Sequence, residues 1–100
     1  MSDVHGSIVL YRILPRTDKL TMNRFVKKLY GYEDKSNYGR YVYRREGILD
    51  RIPHVRLIRG ALIVRKVDEA QLVDFMERFG AEVHVREVIL TSQDRKALGL

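Results

Sequence analysis

Apolar and polar positions along the chain fall into six runs that switch between a two-residue and a helical period. Residues 7–14 open with Ile8-Val9-Leu10-Tyr11-Arg12-Ile13-Leu14, a β-rich run ended by Pro15 and apolar on both faces apart from Arg12, which predicts a central strand. Thr21 stands where an N-cap belongs. Met22, Phe25, Val26 and Leu29 follow at helical spacing, with Gly31 at the stop position. Arg24, Lys27 and Lys28 occupy the opposite side of that helix as one row. Residues 32–37 are polar and predict a loop. Residues 39–45 predict a strand, because Tyr41 and Tyr43 alternate with Arg40, Val42 and Arg44. One of those two sets is then expected to face the helices.

The second half repeats the pattern. Residues 46–54 hold Gly47 and Pro53 and predict a connection, with a short ordered piece over 48–52. Residues 55–66 form the longest β-like run, with Gly60 expected at a bulge or bend, Leu62 and Val64 on one face, and Ala61 and Ile63 on the other. The next helix is predicted from Asp68 as N-cap, Gln71 completing a capping box, and Val67 with Leu72 as a hydrophobic staple. Its buried stripe is Leu72, Phe75, Met76 and Phe79, and Gly80 ends it. Residues 81–90 return as a strand whose phase breaks at Glu87-Val88, suggesting another bulge. Ser92 is read as the cap of a last short turn through Leu98.

The order strand, helix, strand, strand, helix, strand predicts an α+β domain. Its expected form is a ferredoxin-like βαββαβ sandwich: an antiparallel four-stranded sheet with two helices on one face, spanning residues 1–100 as one domain. A winged-helix arrangement fits less well, since it needs three helices before its wing. Four apolar strands under only two helices leave Ile8, Leu10, Leu57 and part of the 61–64 run uncovered. A homodimer through the open faces or edges is therefore expected.

Charge changes the picture. The chain has 100 residues and a formal net charge of +6, with 13 Arg and 6 Lys. Residues 16–66 carry 14 Lys and Arg against 5 Asp and Glu; residues 67–100 carry 4 against 7. A basic middle beside an acidic tail points to an anionic partner. Arginine's planar fork suits phosphate oxygens and stacks on aromatic faces. All six tyrosines lie between Tyr11 and Tyr43, in or beside the basic half. Two Asn, two Gln and no Cys also fit a heat-adapted protein with abundant surface charge. Absence of cysteine excludes disulfides, thiolate zinc sites and thiol catalysis. The first residues lack the layout of a signal peptide, and no apolar run reaches membrane-span length, so a cytosolic protein without membrane contact is expected.

These observations predict a small nucleic-acid-binding protein without catalysis, its ligand RNA or DNA. Arg16, Lys19, Arg24, Lys27, Lys28, Lys35, Arg40, Arg44 and Arg45 are expected to meet phosphates, with Tyr38 or Tyr41 stacking on bases. Arg59-Gly60 matches the start of the third-strand signature of RNA-recognition motifs, but Ala61, Leu62, Ile63 and Val64 stand where its aromatics belong, so that family is not indicated. In topology alone the chain resembles the ferredoxin-like nucleases of the CRISPR Cas2 type. That resemblance implies a metal-dependent nuclease, here through Asp18, Glu33 or Asp34. The sequence departs from the family by placing Leu14-Pro15 where an acid ends the first strand. A homodimeric protein-interaction module is the third possibility. His5, His54 and His84 have no metal-ligand spacing, and no Gly-rich phosphate loop, nucleophile elbow or paired-carboxylate motif occurs. No metal, cofactor or small-molecule substrate is expected.

Overall fold

The computed structural model describes residues 4–36 and 38–100; residues 1–3, part of the start tested for a signal peptide, and Asn37, the end of the stretch expected as loop, lie outside the described residues. Chain order is β1 (His5–Arg12), α1 (Lys19–Tyr30), β2 (Tyr32–Ser36), β3 (Tyr41–Arg45), a 3-10 turn (Ile48–Asp50), β4 (His54–Ile58), β5 (Ala61–Val64), α2 (Lys66–Arg78), β6 (Glu82–Ile89) and α3 (Ser92–Ala97). The protein is α+β. Four strands form an antiparallel sheet of order β4-β5-β1-β6, and β2 and β3 form a separate two-stranded sheet. The bare βαββαβ order is therefore not met, because a hairpin stands between α1 and β4 and a third helix follows β6.

Each face of the main sheet has its own core. Val9, Leu62 and Val64 alternate onto one face, where Phe25 and Leu29 of α1 and Leu72 and Met76 of α2 cover them. Phe25, Phe75 and Phe79 lie with ring centroids 5.2 to 5.9 Å apart and close the gap between the two helices. Ile63 faces the other way. It packs with Leu90 and Leu98, flanked by Val4, Ile8, Val55 and Val88. The expected split of the 61–64 run is thus met, and the second face is not left wholly open. The end of α3 covers part of it, while Leu10 and Leu57 stay exposed.

Several local expectations are corrected. The cap of α1 is Asp18, whose carboxylate accepts from the Thr21 amide at 2.7 Å; Thr21 lies inside the helix. Val26 is 43% exposed rather than part of the buried stripe. Helix α2 begins at Lys66 with Arg65 in the cap position and no side-chain cap, so Asp68 sits in the first turn, where it takes the Arg65 guanidinium at 2.8 Å. Val67 is exposed and makes no staple. Of the two expectations for Gly60 the bend is met and the bulge is not: with φ +85° it lies in the turn that divides residues 54–64 into β4 and β5. The irregularity lies earlier, between Arg56 and Ile58. No bulge interrupts β6, which pairs with β1 in one register from Glu82 to Ile89. Thr91, not Ser92, caps α3, in a capping box with Asp94. No helix among the described residues is long and apolar enough to cross a membrane.

Candidate nucleic-acid interface

The hairpin is the part of the molecule that the sequence hid. Its second strand is the run 39–45, but it pairs with residues 32–36, which had been expected as loop. Neither face of the pair is buried under the helices, and no residue of it belongs to either core. Tyr41 and Tyr43 are 51% and 50% exposed, and every residue of β3 is open to solvent. Five residues per strand at about 3.4 Å each give an arm of roughly 17 Å before its turn. The long axis of the molecule is accordingly 56 Å against 33 and 20 Å, and its radius of gyration is 15.4 Å, where a compact domain of this length has about 13 Å.

Register sorts the arm's side chains. Tyr32 lies opposite Arg45, Asp34 opposite Tyr43 and Ser36 opposite Tyr41, so these six share one face. Glu33 with Arg44 and Lys35 with Val42 share the reverse. At the tip, Tyr38 (φ 59°) and Gly39 (φ 81°) both have positive φ, the requirement of the primed turns that match hairpin twist. Tyrosine in that region is uncommon, and its side chain is fully exposed, with Arg40 beside it.

The base of the arm is anchored by Arg44. Its guanidinium donates to the Tyr30 carbonyl at 2.9 Å, to Asp50 at 3.0 Å and to the Arg45 carbonyl at 3.0 Å. Asp50 in turn accepts from the Gly47 amide at 2.7 Å. A free carbonyl at a helix C-terminus is a favourable place for a cation. The chain can cross there because Gly47 has no side chain: a Cβ on it would lie 2.3 Å from the Gly31 nitrogen. Arg45 is also engaged, with Asp34 at 3.2 Å, while its guanidinium lies 5.7 Å from the Tyr43 ring centre.

The basic row of α1 runs into this arm. Arg24, Lys27 and Lys28 are exposed, and the Lys27 ammonium lies 5.0 Å from the ring centre of Tyr32, the first residue of the tyrosine face. Lys28 leans toward Phe79 at 5.9 Å. Arg24, Lys27, Tyr32, Arg45, Tyr43 and Tyr41 therefore follow one another along a single strip. Lys35 is on the reverse of the arm, and Tyr38 and Arg40 are at its tip. Arg16 and Lys19 lie at the far end of α1, roughly 16 Å from its last turn at 1.5 Å per residue. Lys19 is also off the row, being neither three nor four residues from Arg24 or Lys27. Among the described residues, Arg16, Lys19, Arg24, Lys27, Lys28, Lys35 and Arg40 make no ion pair with a carboxylate, whereas Arg44, Arg45, Arg51, Arg65 and Lys66 of the same basic half do.

Tyr32 and Tyr43 are the residues of this strip that reasoning from sequence left out of the candidate site. Tyr43 carried a signal, being two positions from Tyr41; Tyr32 carried none, because its strand is polar and reads as loop.

The carboxylates do not converge. Asp18 is spent on the α1 cap, Asp34 on Arg45, and Glu33 faces the reverse of the arm. No group of three His, Asp or Glu among the described residues is placed to hold a metal ion. Asp18 has its carboxyl held below the usual range, first by the Thr21 amide. On the partly open second face of the main sheet, a groove of about 310 Å³ is lined by Leu10, Tyr11, Arg12, Gly60, Glu82 and His84. Its charges are mutually satisfied: Glu82 takes the Arg12 guanidinium and lies 3.2 Å from His84. The hydrogen bond from Arg12, then that from His84, holds the Glu82 carboxyl below the usual range.

Compared with protein-family models, curated proteins and solved structures, the chain matches none.

Proposed function

We propose that this is a cytosolic nucleic-acid-binding protein without catalysis, a ferredoxin-like domain carrying an inserted hairpin arm. The arm and the basic row of α1 form its binding strip. Lys27, Lys28, Arg24 and, at the tip, Arg40 meet phosphates, while Tyr41 and Tyr43 offer ring faces to bases. Arg44 holds the arm in place and is left out of the contact set. The observation that carries this reading is the contact of Lys27 with Tyr32, which joins cations of a helix to aromatic side chains on an arm that lies outside both hydrophobic cores. An isolated two-stranded hairpin is marginal in water, so a long exposed one with tyrosines on one face is the kind of element completed by a ligand.

Fluorescence anisotropy with labelled RNA and DNA oligonucleotides, single- and double-stranded, tests it. Saturable binding is expected, weakened in Lys27→Ala/Lys28→Ala and unchanged in Arg95→Ala/Lys96→Ala, whose charges lie on α3. Equal loss from both pairs of substitutions would mean that only net charge matters, and the strip would have no special role.

A second reading, a protein-interaction module, is favoured by the exposed apolar side chains Leu10, Leu57 and Ile58. No saturable binding to any of the four oligonucleotides would leave that reading in place of the first.

A further inference from the structure

The main sheet ends in two unequal edges. At β4 the edge is short, follows Pro53 and is broken by the irregularity near Leu57, the features by which proteins blunt a strand against further pairing. At β6 it is eight residues long and regular, and no strand among the described residues pairs with its outer side. The hydrogen bond from the Leu90 amide to the Val4 carbonyl, 2.8 Å, continues the β1·β6 register. Alternation along an antiparallel ladder then turns the backbone groups of residues 82, 84, 86 and 88 toward β1, and those of Val83, Val85, Glu87 and Ile89 outward. Consistently, the Val85 carbonyl is met by the Arg86 side chain at 2.7 Å and not by a strand.

We infer that the outer edge of β6 pairs with the same edge of a second copy of this chain, antiparallel about His84, joining two sheets into one of eight strands. The chemistry of the edge selects that register. A two-fold axis at His84 sets Val83 opposite the second copy's Val85, both with outward backbone groups, so the ladder closes on either side of the axis. On the other face of the sheet it sets Glu82 opposite the second copy's Arg86, and Arg86 opposite its Glu82. An axis at Val85 would place Val83 against Glu87 and His84 against Arg86; one at Arg86 would place two arginines face to face. An axis between residues would oppose outward groups to inward ones and form no ladder. This inference is independent of nucleic-acid binding, although pairing would give the assembly two arms.

The test uses the whole chain, which contains no cysteine. Light scattering should give about twice the 11.8 kDa of the monomer. His84 would face its own copy in a pair without mutual hydrogen bonds, where Cα atoms lie about 4.5 Å apart, within disulfide reach. Under mild oxidation H84C is expected to become a covalent dimer, R86C is not, and a mixture of E82C with R86C is expected to give the crossed dimer. A monomer mass overturns the inference. So does a dimer in which R86C cross-links to itself or H84C does not cross-link, since either places the interface elsewhere.

Discussion

Arg44 shows how one side chain can carry sequence-level ambiguity. It sits in the richest basic stretch of the chain and reads as a phosphate ligand, yet its five donors are directed at a helix-end carbonyl, a neighbouring carbonyl and Asp50. Lysine cannot reproduce that fork. Arg44→Lys and Arg44→Ala should both destabilise, by roughly 1–3 kcal/mol as judged from charge-assisted hydrogen bonds of this kind, read as a lower urea midpoint. Titration gives a second residue-scale expectation. Asp18, Glu82 and Glu87 have carboxyls held low, by the Thr21 amide, by Arg12 and by Lys66 respectively. Groups lowered on folding contribute stability that is complete above their ordinary range, near pH 4, and is lost as pH falls through the lowered values. Tyr11 works in the opposite sense. Burial, then its hydrogen bond with Tyr30, pushes its phenol up, so its contribution holds below the ordinary tyrosine range near pH 10 and is lost as pH rises beyond it. Melting temperature should therefore stay level from about pH 5 to 9 and fall on both sides; a maximum confined to acid pH would contradict these assignments.

Among the elements, the arm is where binding and stability should separate. Tyr41 and Tyr43 are half exposed and pack against no core. Replacing either with alanine should shift stability by no more than about 0.5 kcal/mol, while each lost stacking contact weakens oligonucleotide binding by roughly 1–3 kcal/mol, about five- to 150-fold. Paired thermal melts and anisotropy titrations read both. Elements with a buried face were legible in the sequence: β1, β5, β6 and the apolar side of α2 all appear as periodic patterns because the core imposes the period. The arm has no buried face, so β2, Tyr-Glu-Asp-Lys-Ser, carries no alternation and reads as loop. Its partner β3 showed the right period and was assigned to the wrong sheet, since tyrosines alternating with arginines describe a strand without saying what it pairs with. Gly60 was ambiguous for a related reason: a glycine inside a β-like run is compatible with a bulge or a turn, and the sequence on either side is equally apolar. The exchange of caps at Asp18 and Thr91 for Thr21 and Ser92 reflects neighbouring residues with similar capping chemistry.

For the molecule as a whole, the sheet and its helices act as a base from which the arm extends, and the charge is divided accordingly. Paired arginines tie the base of the arm and the loops together, while Arg24, Lys27 and Lys28 along α1 and Arg40 at the tip make no ion pair among the described residues. On the proposed reading, this division offers a polyanion one strip to follow rather than scattered surface charge. The most direct measurement is the salt dependence of binding to a single-stranded oligonucleotide. With the seven cations of residues 16–40, none of them ion-paired among the described residues, as the upper limit, counterion release gives a slope of about −3 to −5 for log Kobs against log salt. Lys27→Ala/Lys28→Ala should make that slope shallower by roughly one unit or slightly more. A flat salt dependence, or a slope that Lys27→Ala/Lys28→Ala leaves untouched, would contradict the assignment of this strip as the binding surface.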